Sequence, residues 1–209
     1  MPDMSHEDHF RSLGNRVIAG IDEAGRGPLA GPVCAAAVVL PRDFTICGLD
    51  DSKKVSATRR DALYEQLTCN ENIYWTAEIV DASEIDKLNI LVATHRAMAL
   101  AAQQLQQKWG SEIDLYLIDG LSVSSFPFAQ HSIVKGDSKS LSIAAASIIA
   151  KVTRDRIMLQ YAEEFPQYGF QNHMGYGTKQ HLTALANHGP CRIHRTSFQP
   201  VSQLTLPFD

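Results

Sequence analysis

The sequence predicts an α/β domain built on a mixed sheet. Three observations carry that prediction. Apolar runs of strand length, several closed by glycine or proline, come early in the chain. Helical periodicity interleaves with them and dominates late. The first two apolar runs are joined by a connection too short for a helical crossover, which makes that pair antiparallel.

The elements follow in order. Residues 17–22 (VIAGID) read as a short buried strand stopped by Gly25, Gly27 and Pro28. Residues 33–40 (VCAAAVVL) form a second, ended by Pro41. Residues 42–55 read as a loop carrying LDDSKK. Ser56 is placed to cap a helix reaching about Leu67, with Leu63 and Leu67 at i,i+4. Residues 73–80 (IYWTAEIV) have the β-branched and aromatic content of a strand. A helical region then runs from Ser83 to Trp109, broken near Asn89 and ended by Gly110. Residues 115–119 (LYLID) form another strand before Gly120, and residues 131–134 a shorter one before Lys135-Gly136-Asp137. Residues 140–160 are strongly helical, with Ala144, Ala145 and Ala146 permitting close packing. Pro166 and Gly169 interrupt, and residues 178–187 make a last helix before Gly189-Pro190. One folded domain is expected over 16–198, between a flexible segment at 1–15 and a loose tail at 199–209.

Composition bounds the class of protein. A chain of 209 residues can bury a core without disulfides or a structural metal. Its 44% hydrophobic and 20% charged content excludes global disorder. The N-terminus has acidic residues and histidines where a signal peptide needs positive charge and an apolar run. No stretch approaches the ~20 apolar residues that span a bilayer, so the reading is a cytoplasmic protein without membrane association. Cys34, Cys47, Cys69 and Cys191 form no C-x-x-C pair and read as reduced structural thiols. The net charge of −4 argues weakly against nucleic acid, but the cations are clustered. Lys53, Lys54, Arg59 and Arg60 fall together, as do Lys135, Lys139, Lys151, Arg154 and Arg156, and then Arg192, His194 and Arg195. Any one of these clusters is equally a solvated helix face.

Acidic residues recur at strand ends. Asp22-Glu23 closes the first strand, Asp119 closes LYLID, and Asp137 follows the 131–134 run. One such residue is an ordinary cap or turn residue. Three such places, each beside a glycine, favour a shared site at one rim of the sheet. Phosphodiester hydrolysis develops charge on several oxygens. Two hard cations ~3.5–4 Å apart neutralise it, activate water and stabilise the departing 3′-oxygen. Mg²⁺ and Mn²⁺ prefer carboxylates to imidazole or thiolate. Adjacent side chains in a regular strand face opposite ways. Glu23 is therefore expected where the strand gives way to the loop.

Asp22-Glu23-Ala24-Gly25-Arg26-Gly27-Pro28 is the most specific segment. Glycines let a ligand approach the backbone closely, and backbone groups there can bracket a ribose 2′-OH. Arg26 can hold a phosphate through its planar fork. The plainer reading is a tight turn with an exposed arginine.

Residues 22–32 (DEAGRGPLAGP) resemble the signature of the ribonuclease HII, or type 2 ribonuclease H, family. The resemblance continues through residues 49–54 (LDDSKK), Ile118-Asp119-Gly120, Lys135-Gly136-Asp137, residues 142–155, residues 173–178 (HMGYGT) and residues 194–198 (HRTSF), over roughly 16–198. Met174 departs from a commonly basic position, which puts one phosphate contact in doubt, and Ser138 from a commonly alanine one. The resemblance implies a ribonuclease H-like fold: a central five-stranded mixed sheet flanked by helices, with a helical C-terminal portion. It implies Asp22, Glu23, Asp119 and Asp137 as metal-binding catalytic carboxylates for Mn²⁺ or Mg²⁺. It also implies Gly25-Arg26-Gly27 as the 2′-OH reader, and Tyr176 as the ring packed against the ribose-to-deoxyribose step. The implied activity is hydrolysis of the RNA strand of RNA–DNA hybrids and cleavage 5′ of ribonucleotides embedded in duplex DNA, leaving 3′-hydroxyl and 5′-phosphate ends, by a monomer. Ribonucleotide removal from DNA, and primer removal, are the implied roles.

Lesser features stay open. Lys53 and Lys54 are phosphate contacts or a solvated loop. Ser142 and Ser147 read as packing residues, and Asp155 as a partner of Lys151, Arg154 or Arg156. His173, His181, His188 and His194 suit hydrogen-bonding or phosphate-rim roles rather than a magnesium-type ligand set. The tail, with Gln203, Leu204, Leu206 and Phe208, looks like a peptide that binds the replication sliding clamp, or else is a self-docking end. Two rival functions remain. A junction resolvase or integrase would cut all-DNA duplex. A non-catalytic hybrid-binding module would bind without metal.

Overall fold

The structure, a computed structural model, describes residues 1–49, 52 and 55–204. Five strands form one mixed sheet: β1 (Ile18–Ala24), β2 (Val33–Val39), β3 (Tyr74–Val80), β4 (Leu115–Asp119) and β5 (Gln130–Ile133), in the order β3-β2-β1-β4-β5. β1 pairs antiparallel with β2, as the short connection predicts, and β2 antiparallel with β3. β4 lies parallel to β1 on its other side, and β5 parallel to β4. Among the described residues the helices are α1 (Ser5–Ser12), α2 (Ala57–Thr68), α3 (Ala82–Leu88), α4 (Ile90–Trp109), α5 (Leu141–Glu164), α6 (Phe170–His173), α7 (Lys179–His188) and α8 (Val201–Leu204).

Local chemistry sets the helix starts. The side chains of Ser56, Asp81, Ser140 and Thr178 accept hydrogen bonds from the first-turn amides of α2, α3, α5 and α7. Asn89, at φ 70°, ends α3 and caps α4 through the amides of Leu91 and Val92. That is the break expected near this residue. Gly110, at φ 78°, ends α4.

The sheet is covered on both faces. Alternation along β1 and β2 sends Ala19, Ile21, Ala35 and Ala37 toward Ala93, Ala97, Ala101 and Leu105 of α4. Cys34, Ala36 and Val38 face Ala145, Ile148, Ile149 and Val152 of α5, with Leu63 and Leu67 of α2 behind. β2 is therefore buried along its whole length, which explains its unbroken apolar run. A smaller cluster of Met158, Tyr168, Phe170 and Ile193 ties the C-terminal helices to the end of α5.

Both ends depart from expectation. Residues 1–15 were expected to be flexible, but α1 docks against the start of α5. Glu7, 1% exposed, accepts at one carboxylate oxygen from the hydroxyls of Ser140 and Ser142 (both 2.6 Å) and from the Ser142 amide (2.9 Å). Ser142, read as a packing residue, is thus a hydrogen-bonding partner. Asp3 bridges the backbone beside Ser140, and the Phe10 ring meets His131 of β5 at 4.7 Å. The sequence hides this because the anchor is a buried carboxylate rather than an apolar stripe. Glu7→Ala is expected to lower stability by about 1–3 kcal/mol, read as a drop of several degrees in thermal midpoint. Asp8→Ala, at an exposed position, should stay within about 0.5 kcal/mol of the parent. The tail also docks as far as α8, where Val201 is fully buried against Leu29, Leu185 and Phe198. Lys53, Lys54, Leu206 and Phe208 lie outside the described residues.

Candidate active site

The parallel pairing of β1, β4 and β5 gathers the strand-end acids. Ile21 pairs with Ile118, so Asp22 and Asp119 follow side by side. Asp119 pairs with Ile133, after which the chain turns through Lys135, at φ 57°, into a 3₁₀ turn (Gly136–Ser138) carrying Asp137. The Gly136 amide donates to Asp119 Oδ1 at 2.6 Å. One carboxylate oxygen from each of Asp22, Asp119 and Asp137 lies within 4.8 Å of the others. Asp22 and Asp137 are buried, at 5% and 8% exposure. Three carboxylates this close are an arrangement that hard divalent cations fit, since oxygen donors are what Mg²⁺ and Mn²⁺ take. Burial, then the charges of Glu23 and Asp119, hold the Asp22 carboxyl well above the usual carboxylate range, opposed by hydrogen bonds from the Ser147 hydroxyl and the Glu23 amide.

Glu23 is the next-to-last residue of β1, opposite Ala35. Its charge acts on the Asp22 carboxyl more strongly than that of Asp119 does, so the two acids belong to one acidic rim. Its side chain also pairs with Arg26 at 3.2 Å and lines the neighbouring cleft, as Ser147 does.

That cleft, about 560 Å³, is bordered by Glu23, Gly25, Arg26, Gly27, Ser52, Ser147, Lys151 and Tyr176. A depression of about 620 Å³ at the far edge, around Pro41, Asn72 and Trp109, is slightly larger but remote from the acidic rim. Tyr176 is 43% exposed, and its ring borders Gly27: a Cβ on that glycine would sit 3.6 Å from Tyr176 Cε1. Gly25 has a steric reason to be glycine as well. Its φ is +95°, and a Cβ would lie 2.1 Å from Arg154 Nε.

Two buried arginines shape the cleft from below. Arg154 donates to the carbonyls of Pro32, Ala30 and Met174 at 2.9–3.1 Å. Arg195 donates to those of Gly31, Arg26 and Gly25 at 2.6–3.0 Å. Between them they pin both the glycine loop and the segment before Tyr176. Both belong to the cation clusters visible in the sequence, yet Arg154 is 1% exposed and Arg195 fully buried. Burial and the neighbouring Arg154 push Arg195 down to about 9.

Ser147, also read as packing, stands between Asp22 and the Ser52 hydroxyl, 3.0 Å from the latter. One turn on, Lys151 faces the cleft and pairs with Asp155 at 2.7 Å. The 147-151-155 spacing, one residue per turn, was the signal that would have found this stripe. His173, His181 and His194 are buried and hydrogen-bonded, and His188 is exposed.

A mixed sheet with carboxylates gathered at the ends of its parallel strands, beside a cleft, defines a ribonuclease H-like nuclease fold. Solved structures share it. Ribonuclease H2 from Pyrococcus horikoshii OT3 superposes with a TM-score of 0.72 at 22% identity, over 90% of this chain and 97% of that one. The ribonuclease HII of Archaeoglobus fulgidus, solved in complex with PCNA, gives 0.71 at 23% identity, over 88% and 96%. A ribonuclease HIII solved with Mn²⁺ gives 0.63 at 18% identity, over 85% and 71%. Sequence carries the assignment further. The Ribonuclease HII family profile matches residues 19–201. Ribonuclease HII of Listeria monocytogenes serotype 4a is 53% identical over 204 residues, covering 98% of this chain and 76% of that protein. That of Endomicrobium trichonymphae is 49% identical over 201 residues, covering 96% and 93%. The chain belongs to the ribonuclease HII family. It is a ribonuclease H, an endonuclease acting on the RNA of RNA–DNA hybrids. No helix among the described residues is long and apolar enough to cross a membrane.

Proposed function

We propose that this ribonuclease also cuts duplex DNA on the 5′ side of an embedded ribonucleotide, and leaves 3′-hydroxyl and 5′-phosphate ends on both substrates. The observation that carries this reading is the adjacency of three features. Asp22, Asp119 and Asp137 converge at one sheet end, and a neighbouring cleft is bordered by both Gly25-Arg26-Gly27 and Tyr176.

Asp22, Glu23, Asp119 and Asp137 would hold Mn²⁺ or Mg²⁺ as a two-ion site, a reading supported by the convergence of the three aspartates and by the charge of Glu23 on Asp22. Ions bound there supply charge neutralisation at the scissile phosphate and activation of the attacking water. The chain's own residues do the selecting. The backbone of Gly25-Arg26-Gly27 meets the 2′-OH, and Arg26, half exposed, meets a phosphate. Tyr176 presents its ring to the sugar that follows the ribonucleotide. Lys151 adds a cation to the cleft wall, and Lys53 and Lys54 contact the duplex backbone. Such an enzyme begins removal of ribonucleotides from DNA, assists primer removal, and acts as a monomer.

The test is a labelled DNA duplex with one ribonucleotide, incubated with Mg²⁺, Mn²⁺ or chelator beside an all-DNA control. Metal-dependent cleavage 5′ to the ribonucleotide, with the control intact, is expected. Cutting of the all-DNA duplex would point instead to a resolvase-like activity, and chelator-resistant binding without cleavage to a binding module.

The tail carries a partner proposal. Leu204 is exposed just beyond the buried Val201, and we infer that Gln203, Leu204, Leu206 and Phe208 form a peptide that binds the sliding clamp. Deleting residues 203–209 is expected to abolish binding to purified clamp in a pull-down while short-duplex cleavage continues. Clamp binding that survives the deletion would rule this out.

A further inference from the structure

Behind the loop that carries Tyr176 lie three buried imidazoles, and all six of their ring nitrogens have partners. His173 Nε2 meets the Tyr168 carbonyl at 3.0 Å, and the Gly175 amide donates to His173 Nδ1 at 3.3 Å. The Cys191 amide donates to His194 Nδ1 at 3.0 Å. His194 Nε2 lies 3.0 Å from His181 Nε2, and His181 Nδ1 lies 3.0 Å from the Tyr176 carbonyl. The rings of His173 and His181 stack at 4.6 Å and 13°.

The direction of the second chain follows from one obligate donor. A backbone amide can only donate, so His194 Nδ1 is a bare acceptor and the His194 proton sits on Nε2. That proton points at His181 Nε2, which must accept, so His181 carries its proton on Nδ1 and donates to the Tyr176 carbonyl. Each step requires a neutral ring. Burial supplies this: it pushes His181 down, and His194 to about 4.

We propose that His181 and His194 are positioning residues for the reaction, holding Tyr176 against Gly25-Arg26-Gly27 by a one-way hydrogen-bond relay from the Cys191 amide. The inference rests on the substrate role given to Tyr176 above. Packing alone does not account for the arrangement. The pocket is otherwise aromatic, with Tyr168 and Phe170 beside the histidines, and phenylalanine would fill it without needing partners. The relay also starts from the segment that orders the other wall of the cleft. His194 neighbours Arg195, whose guanidinium holds the Gly25 and Arg26 carbonyls, and His194 bridges the Ala30 backbone. One short stretch thus aligns both sides of the sugar-reading cleft.

The test compares His181→Phe, His181→Asn, Tyr176→Ala and the double variant His181→Phe/Tyr176→Ala. It uses single-turnover cleavage of a duplex with one ribonucleotide, with Mn²⁺ binding followed by calorimetry. His181→Phe keeps the ring and removes both polar atoms. His181→Asn keeps a donor near the Nδ1 position. His181→Phe is expected to lose ~10–100-fold in cleavage efficiency, matching Tyr176→Ala, and the double variant should lose no more than either. His181→Asn should recover much of the loss, and Mn²⁺ affinity should be unchanged throughout. Additive losses in the double variant, or no recovery in His181→Asn, would overturn the relay. So would a His181→Phe enzyme at wild-type rate beside an impaired Tyr176→Ala; that pattern leaves the role of Tyr176 standing. An unimpaired Tyr176→Ala overturns that role and the relay with it. If His181→Phe does not fold, His194→Leu breaks the chain one bond earlier and is judged by the same criteria.

Discussion

Asp22→Asn is expected to lower single-turnover cleavage by about 10³-fold or more and to raise the stability of the metal-free protein at neutral pH. The loss follows from the role proposed for the trio. A ligand carboxylate placed within 4.8 Å of two others contributes to stabilising several kcal/mol of transition-state charge, and each 1.36 kcal/mol is tenfold in rate. The gain in stability follows from the same geometry. Burial, Glu23 and Asp119 raise the Asp22 carboxyl well above its ordinary value. A raised acid binds its proton more readily in the native state than in the unfolded one. Its ionised form therefore costs stability above the raised value, and that cost fades as pH falls through it. Asn carries no such charge. The variant's thermal midpoint should exceed the parent's at neutral and alkaline pH in chelator, and the two should converge on acidification. Mn²⁺ should raise the parent's midpoint and leave the variant's nearly unmoved. A variant with full turnover would remove Asp22 from the site.

Gly20→Ala should destabilise the fold by about 3 kcal/mol or more, roughly 6–12 °C in midpoint for a chain of this size. A Cβ at Gly20 would lie 2.2 Å from Ser142 C, 2.4 Å from Ile143 N and 2.5 Å from Ser142 O. These are backbone atoms of the first turn of α5, so no side-chain rotation relieves the clash. α5 would have to lift away from β1, against which it packs. It is held down by Glu7 at that same turn, and it carries Ser147 against Asp22. Activity should fall with stability. Gly27→Ala offers the contrast. Its Cβ would meet Tyr176 Cε1 at an ordinary 3.6 Å, so the midpoint should hold within a degree or two while cleavage drops. Equal midpoints for parent and Gly20→Ala would mean the helix and sheet are not in the contact described.

How much was legible differs by residue. Asp22, Asp119 and Asp137 could be picked out because each follows an apolar strand and neighbours a glycine, both local signals. Ser56, Asn89 and Gly110 marked helix ends correctly because capping acts within a few residues. The N-terminal helix escaped notice because Glu7 finds its donors 133 and 135 residues away.

The sequence by itself determined the class of fold, the order of its elements, the strand-end carboxylates and the glycine loop. Hydrophobic period, turn residues and caps act over a handful of positions, and a linear reading captures them. The tertiary structure alone decided which carboxylates meet, since that depends on parallel pairing between strands far apart in the chain. It also decided that Arg154 and Arg195 face inward. A buried guanidinium needs carbonyl acceptors, and Arg195 finds one at Gly25, 170 residues distant. The histidines behind Tyr176 belong to the same category. The relay to Tyr176 exists only once His194 has been brought up against His181, 13 residues earlier in the chain.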